Sequence, residues 1–329
     1  MPNPTPGDVH VNGPLGNVSE AYIQNATNFI ATRMFPNVPV AKQSDLYFVY
    51  DRQDFFRNEV QLRAPGSESA GGGHRLSTDS YRADVFALHR DIDDQVRANQ
   101  DAPLNLDRDA ATWLTQQMLL KRENDFVNQF FTTSIWTGSG TGNDQTGVAA
   151  APGADQFLQW NDANSTPIED IRAQIVNMAE KTGFKPNKLT IGPEVWAALV
   201  DHPDILDRIK FTQRGVVTMD LIAGLLDLDE VMVGWATRDT SAELGTAAYD
   251  FYWGKAALLS YAPASAGLMI PSAGYTFSWT GLLGSGTMGS RIKSFRLERN
   301  ASDRIEGEMA YALKQVSADL GVFYTSAVA

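Results

Sequence analysis

The sequence predicts an α+β fold, with helices and strands segregated along the chain rather than alternating one by one. Three observations carry that expectation. Residues 166–210 read as a capped helix, a short strand and two further short helices. Residues 107–131 read as one long helix. Residues 46–88 read as a long hairpin, and residues 274–327 as a succession of long strands.

Taken in order, residues 1–17 are rich in Pro, Gly and Asn and are expected to be extended or disordered. Residues 18–34 suggest a short amphipathic helix through Tyr22, Ile23, Ala26, Phe29 and Ile30. Pro36 and Pro39 hold residues 35–40 extended. Strands are expected over 46–50, 59–62 and 80–88, the last alternating Tyr81, Ala83, Val85 and Ala87 with Arg82, Asp84, Phe86 and Leu88. Between them, Pro65, Gly66 and Gly71-Gly72-Gly73 mark a hairpin tip over 64–73. A ribbon with apolar and charged groups on both faces cannot bury them within its own domain, so it asks for a neighbouring chain.

Its charges point the same way. From Gln43 to Leu120 there is no lysine, but Arg52, Arg57, Arg63, Arg75, Arg82, Arg90, Arg97 and Arg108 are present. The planar guanidinium suits bidentate pairing at interfaces. Asp51, Asp54, Glu59, Glu68, Asp79 and Asp84 are available carboxylates. Arg57, Glu59, Arg63, Arg75, Arg82 and Asp84 are therefore candidate interface residues.

The helix over 107–131 has Asp107 or Asp109 as its expected cap. Trp113, Leu120, Val127 and Phe131 lie on one side, with Leu114, Met118, Phe126 and Phe130 close by. Residues 135–154, rich in Gly, Thr and Ala, read as a linker, and 157–160 leads into the next unit. Thr166-Pro167-Ile168-Glu169 is a capping box with Pro at the first helical position. Ile168, Ile171, Ile175 and Met178 share a face, Gly183 is a left-handed stop and Pro186 bars continuation. Residues 188–192 form a buried-type strand. Gly192-Pro193-Glu194 starts a helix carrying Val195, Trp196, Leu199 and Val200, and His202-Pro203-Asp204 breaks it. A helix over 218–226, a strand over 230–237, a polar loop over 238–247 and a strand over 251–261 follow. The final strands are expected over 275–283, 291–299, 304–313 and 321–326, with a turn at 300–303.

Composition and motifs exclude several classes. The 329 residues contain no cysteine, which removes disulfides, cysteine zinc sites and thiol nucleophiles. The formal net charge of −12 argues against a nucleic-acid-gripping surface, though an acidic wall suits a container. No apolar run reaches the ~18 residues of a membrane span, and the N-terminus lacks the basic and apolar regions of a signal peptide. Gly284-Ser285-Gly286-Thr287-Met288-Gly289 matches a dinucleotide fingerprint, but a strand rather than a helix is expected after it. The run 138–142 lacks the Lys-Ser/Thr of a P-loop. His10, His74, His89 and His202 include no i, i+4 metal pair. The acidic groups beside His89 (Asp91, Asp93, Asp94) and the cluster Asp227, Asp229, Glu230 read as solvated charge. No catalytic, cofactor-binding or metal residues are assigned, and no cofactor is expected.

Two runs resemble a known family. KPNKLTIGPEVWAALVDHPDILDRIK (185–210) resembles the A-domain of the major capsid proteins of tailed bacteriophages, the HK97-like fold. NFIATRMFPNVPVAKQSDLYFVY (28–50) resembles the arm that leads into the long hairpin, or E-loop, of one branch of them. The resemblance implies an N-terminal arm over 1–45, the E-loop over 46–93, a P-domain with spine helix over 94–160, an A-domain over 161–270 and returning P-domain strands over 271–329. It implies that the arm, with Phe35, lies on neighbouring subunits, and that the loop carrying Arg238 and Asp239 approaches the capsomer axis.

The implied function is a non-enzymatic coat subunit of the virion, assembled in the host cytoplasm. It would form pentamers and hexamers of an icosahedral head around double-stranded DNA, without sequence-specific contacts and with no membrane partner. A portal, a decoration protein and a scaffold are implied partners. Many relatives carry a scaffolding segment before the arm; here the arm begins within the first few tens of residues, which favours a separate scaffold or a chain already lacking that segment. Some relatives weld subunits through a lysine–asparagine bond in the E-loop, a chemistry not expected in a hairpin without lysine. The alternative readings are an encapsulin-type compartment and a monomeric α/β enzyme.

Overall fold

The computed structural model describes residues 23–101, 104–138, 143–209, 216–243, 245–267, 269–284 and 289–329. The stretch 1–17, His10 and the centres of both glycine-rich motifs lie outside that set.

The chain begins with a 3-10 turn (Ala26–Asn28), helix α1 (Ala31–Met34) and strand β1 (Asn37–Val40). The helix expected over 18–34 is, where described, two short turns. The backbone goes extended at Phe29 and again at Phe35, the residue before Pro36. β2 (Ser44–Tyr50) and β3 (Leu76–Arg82) form an antiparallel ribbon, Ser44 opposite Arg82 and Tyr50 opposite Leu76. The strand expected over 59–62 is absent. Helix α2 (Arg52–Phe56), capped by the Asp51 side chain, takes the chain off the ribbon, and Val60 and Leu62 stand in solvent. The facing run of three glycines offers no side chains for a strand to pair with.

Residues 80–88 are not one strand. The chain breaks at Ala83 between β3 and β4 (Asp84–Asp93), and the inward phase switches there from Tyr81 and Ala83 to Phe86 and Leu88. α3 (Asp94–Ala98) leads to α4 (Leu106–Phe130), 25 residues and roughly 37 Å long. Its cap is Asn105, whose side chain accepts the Arg108 N–H at 3.0 Å, rather than Asp107 or Asp109.

The linker expected over 135–154 holds the fully buried Trp136 and strand β5 (Asp144–Val148). β6 (Gln156–Leu158), α5 (Pro167–Thr182), β7 (Lys188–Ile191), α6 (Pro193–Val200), α7 (Pro203–Ile209), α8 (Met219–Leu226) and β8 (Glu230–Val233) follow much as expected. Gly183 ends α5 at φ 72°, but Thr166 makes no side-chain cap bond, and Glu169 pairs with Arg208 instead of closing a capping box. The remaining elements are β9 (Thr237–Asp239), β10 (Tyr249–Phe251), β11 (Ala257–Ser260), β12 (Gly274–Trp279), α9 (Thr280–Leu283), β13 (Ser290–Leu297), β14 (Ser302–Gln315) and β15 (Gly321–Thr325).

Two sheets organise the molecule. A five-stranded sheet runs β1-β12-β14-β13, with β4 also paired along β14. A six-stranded sheet runs β6-β5-β15-β11-β7-β8. Of the strands in 271–329, β12, β13 and β14 belong to the five-stranded sheet. β15 instead enters the six-stranded sheet between β5 and β11. α5, α6, α7 and α8 contribute one core with that sheet, including Ile168, Ile171, Ile175, Met178, Val195 and Leu199. A second core joins α1, α4 and strands of both sheets through Met34, Phe35, Phe126, Phe130, Trp136 and Phe323. Gly307 lets α4 approach β14, since a Cβ there would sit 3.0 Å from Met118 Sδ.

Candidate subunit interface

The β2–β3 ribbon is held to the body at its base. The Tyr81 ring stacks on Phe277 at 4.4 Å, Tyr47 packs on the same ring at 5.7 Å, and the Tyr47 hydroxyl donates to Asp79 at 2.7 Å. The Ala83 N–H donates to the Gln43 carbonyl at 2.8 Å, and the Gln43 amide donates to the Ala83 carbonyl at 3.1 Å. At the far end, α2 leans back on the same chain. Arg52 meets Asp319 at 2.9 Å, and the Phe56 ring covers Gly183, where a Cβ would lie 3.1 Å from it. Between base and α2 lies a cleft of about 1060 Å³, lined by Pro39, Phe48, Phe55, Phe184, Ile270 and other apolar side chains. Leu46 and Phe48 remain 63 % and 59 % exposed on the ribbon.

The expected interface residues fall into three places. Arg57, Glu59 and Arg63 are exposed beyond α2, with Arg63 donating to the Ser67 carbonyl at 2.6 Å. Arg75 is engaged within its own chain, donating to both oxygens of Asp54 at 3.0 Å and meeting Asp51 at 2.6 Å. Arg82 and Asp84 form a loose exposed pair at 3.7 Å across Ala83. Arg238 and Asp239 lie on the separate β9–β10 ribbon. Arg238 meets Asp250 at 3.6 Å and sits 5.4 Å over Tyr252, while Asp239 accepts the Ser241 and Ala248 N–H groups. Phe35 is a correction: it is 2 % exposed and packed on Phe126, Phe130 and Trp136, so it presents nothing to a neighbour.

Phe35 belongs to a strap that sequence reasoning placed outside the subunit. Gln24 pairs with both backbone groups of Thr237, and Arg33 reaches Glu230. Lys188 donates to the Arg33 and Met34 carbonyls, and β1 then joins β12 in parallel. The strap thus crosses from the six-stranded sheet to the five-stranded one. Its knot is Glu123 on α4, 1 % exposed, which accepts the Ile30 and Ala31 N–H groups at 3.1 and 3.0 Å and the Trp253 indole N–H at 2.6 Å. Burial pushes its carboxyl above the usual range, against those three donors and the neighbouring Arg122. Lys121-Arg122-Glu123 reads in sequence as an exposed charge run, and nothing local marks it as buried.

No catalytic or metal constellation is found among the described residues. Ser165 Oγ and His202 Nε2 are 2.9 Å apart, but both are buried, and His202 Nδ1 accepts the Asp204 N–H rather than donating to a carboxylate. No group of three or more His, Asp or Glu able to hold a metal occurs among those residues. Asp91 is bound by Arg304, Asp94 by Arg296, Asp227 by Lys185 and Glu230 by Arg33. β13 follows the glycine motif at 284–289, as expected, which removes the helix a dinucleotide site requires. No helix of the described residues is long and apolar enough to cross a membrane.

A projecting ribbon, a long spine helix and two sheets bridged by an N-terminal strap define an HK97-like capsid fold. Comparison with known proteins agrees. The family model for phage major capsid protein E matches residues 156–242. The major capsid protein of Burkholderia phage BcepMu is 24 % identical over 277 residues, covering 82 % of this chain and 83 % of that one. That of Pseudomonas phage JBD67 is 26 % identical over 317 residues, with 91 % and 92 % covered. A phage-related protein from Bordetella bronchiseptica RB50 superposes with a TM-score of 0.68 at 19 % identity, over 92 % and 94 % of the two chains. The mature capsid of bacteriophage PhiM1 gives a TM-score of 0.61 at 12 % identity, over 96 % and 92 %. The holo-SrpI encapsulin of Synechococcus elongatus shares the fold at 0.52 and 13 % identity, over 94 % and 92 %. The chain is thus similar, in fold and over most of its length in sequence, to phage major capsid proteins, the structural proteins of the virion shell.

Proposed function

We propose that this subunit tiles into pentamers and hexamers of an icosahedral head enclosing double-stranded DNA, without sequence-specific contacts, after assembly in the host cytoplasm. The observation that carries the reading is the β2–β3 ribbon with the 51–75 segment it carries, where Leu46, Phe48, Phe55 and Leu62 are left uncovered by their own chain. Exposed apolar groups of that extent are costly on a lone subunit and are the ordinary currency of an interface. Arg57, Glu59, Arg63, Arg82 and Asp84 stand beside them as contacts to a neighbour. Arg75 is assigned to shaping the ribbon, and Arg238 and Asp239 to the capsomer axis. In this scheme residues 46–93 act as the E-loop, 94–160 and 271–329 as the peripheral domain and 161–270 as the axial domain. Residues 1–45 lead in as the arm, with 29–40 folded into the subunit itself. A scaffolding protein, a portal and a decoration protein complete the partner set, and no catalytic step is assigned.

Size-exclusion chromatography and electron microscopy of the expressed protein test this directly. Shells or capsomers in the megadalton range are expected; a species eluting only near 36.0 kDa would sink the proposal. Nucleic acid rather than a cargo protein inside native particles separates a phage head from a compartment of the encapsulin kind.

A further inference from the structure

The two halves of the ribbon are held very differently. The half nearest the body is fixed, with Tyr81 and Tyr47 packed on Phe277 and the Lys314 ammonium meeting Asp79 at 3.0 Å. Beyond the rung that pairs Tyr47 with Asp79, the strands run over the cleft of about 1060 Å³, where Phe48 is 59 % exposed. α2 then brings the chain back to the body. Arg52 meets Asp319 at 2.9 Å, and the Phe56 ring rests on Gly183, where φ 72° and the missing side chain leave the backbone open to an aromatic face. Even so, Phe56 stays 56 % exposed.

α2 is fastened more firmly to the ribbon than to the body. The Arg75 N–H donates to Asp54 at 2.7 Å, the Arg75 guanidinium donates to the same carboxylate at 3.0 Å, and it meets Asp51 at 2.6 Å. The rings of Tyr50, Phe55 and His74 pack among themselves. α2 therefore moves with the far half of β2 and β3. Burial of apolar surface is the force that would close the cleft, and the closed ribbon leaves Phe48 largely wetted. What keeps it down at this end is an ion pair and a half-covered ring, so open and closed positions lie close in free energy, as in a switch element.

Resting on the shell reading above, we infer that α2 is an autoinhibitory latch: its contact with Gly183 and Asp319 holds the ribbon of the free subunit closed, and release of that contact sets the rate at which subunits join. The apolar side of the ribbon faces its own cleft while the latch is shut, so only the open fraction is competent. The apparent tendency to associate falls by that fraction. Free subunits are thereby kept from joining prematurely, and whatever draws α2 off its seat speeds assembly.

The absence of cysteine from the chain makes the test clean. The doubly substituted chain, Arg52→Cys with Asp319→Cys, is bridged internally at high dilution with a short bis-maleimide whose spacer contains a disulfide. The bridged single chain is expected to form no particles, and cleaving the spacer with a reductant to restore them. A bridged chain that assembles as fast as the unsubstituted protein overturns the latch. Failure of the unsubstituted protein to form particles strikes the shell reading itself.

A second variant decides without any cross-link. Arg52→Gln removes the charge but keeps a long polar side chain, and light scattering is expected to show particle growth about five-fold faster at equal subunit concentration. Phe56→Ala, which lifts the ring from Gly183, is expected to act in the same direction. Growth that is unchanged or slower in both overturns the latch, and slower growth would mean that these side chains bind between copies instead of restraining the free chain.

Discussion

Replacing Glu123 tests the strap that ties the two sheets together. Glu123→Ala strands three buried donors, the N–H groups of Ile30 and Ala31 and the indole N–H of Trp253. It also removes a carboxylate that interacts favourably with the buried Arg122. A stranded buried donor costs about 1–3 kcal/mol, partly offset because a buried carboxylate no longer needs desolvating. The net loss should be about 3–5 kcal/mol, a large share of the roughly 5–15 kcal/mol of a typical domain. Glu123→Gln keeps the shape and one acceptor oxygen but turns an amide NH₂ towards donors, and should cost about 1–3 kcal/mol. Burial raises the Glu123 carboxyl, so the folded chain holds that proton more readily than the unfolded one. The stability this group contributes is therefore full below its unfolded pKa of about 4.3 and is lost as pH rises through its folded value. The advantage of the natural chain over Glu123→Gln should accordingly narrow from acid towards neutral pH. Urea unfolding of the unassembled subunit, followed by tryptophan emission at several pH values, measures both. A loss under about 1 kcal/mol for the Ala variant, or a gap that widens with pH, would refute the reasoning.

Gly183→Ala should cost about 1–2 kcal/mol in thermal unfolding, since φ 72° disfavours a side chain and the Phe56 ring stands where the methyl would go. Asp91→Asn breaks the two bonds from Arg304, at 2.7 and 2.8 Å across β4 and β14, and should cost about 1 kcal/mol near neutrality. Arg304 holds the Asp91 carboxyl below the usual range, so this contribution is present above the unfolded pKa and disappears as pH falls; the gap between variant and natural chain should close in acid. Trp136→Ala should cost about 3–5 kcal/mol in denaturant titration, because the ring is fully buried and its N–H donates to the Phe130 carbonyl at 2.8 Å.

What the sequence disclosed depended on how local the cause was. The run through α5, β7 and α6 was legible because its punctuation is chemical: Pro167 and Pro193 at first helical positions, Gly183 in the left-handed region. The ribbon and α4 were legible from periodicity. β5 was not, because Asp144-Gln145-Thr146-Gly147-Val148 has little strand propensity and is a strand only through β15 and β6 on its two sides. The break at Ala83 was hidden because alternation looks continuous until two sheets compete for one strand. Phe35, between prolines and short turns, looked peripheral; only α4 packing over it makes it core. Which of the candidate arginines the chain itself would satisfy depended on α2, which no pattern announced.

That self-satisfaction decides how assembly should respond to salt. If the arginines were free to seek carboxylates on a neighbour, added salt would weaken those pairs and slow assembly. Arg75 is instead held by Asp51 and Asp54, Arg52 by Asp319 and Arg304 by Asp91, so these three cations are paired before subunits meet. What approaching copies feel is the uncompensated formal charge of −12 on each chain. Raising ionic strength from about 0.01 M to about 0.15 M shortens the screening length from roughly 30 Å to roughly 8 Å, and so removes most of that repulsion while leaving the apolar ribbon contact intact. Light scattering at fixed subunit concentration should show faster particle growth at the higher salt. Slower growth would mean that intersubunit ion pairs, not the buried apolar face, drive the joining of subunits.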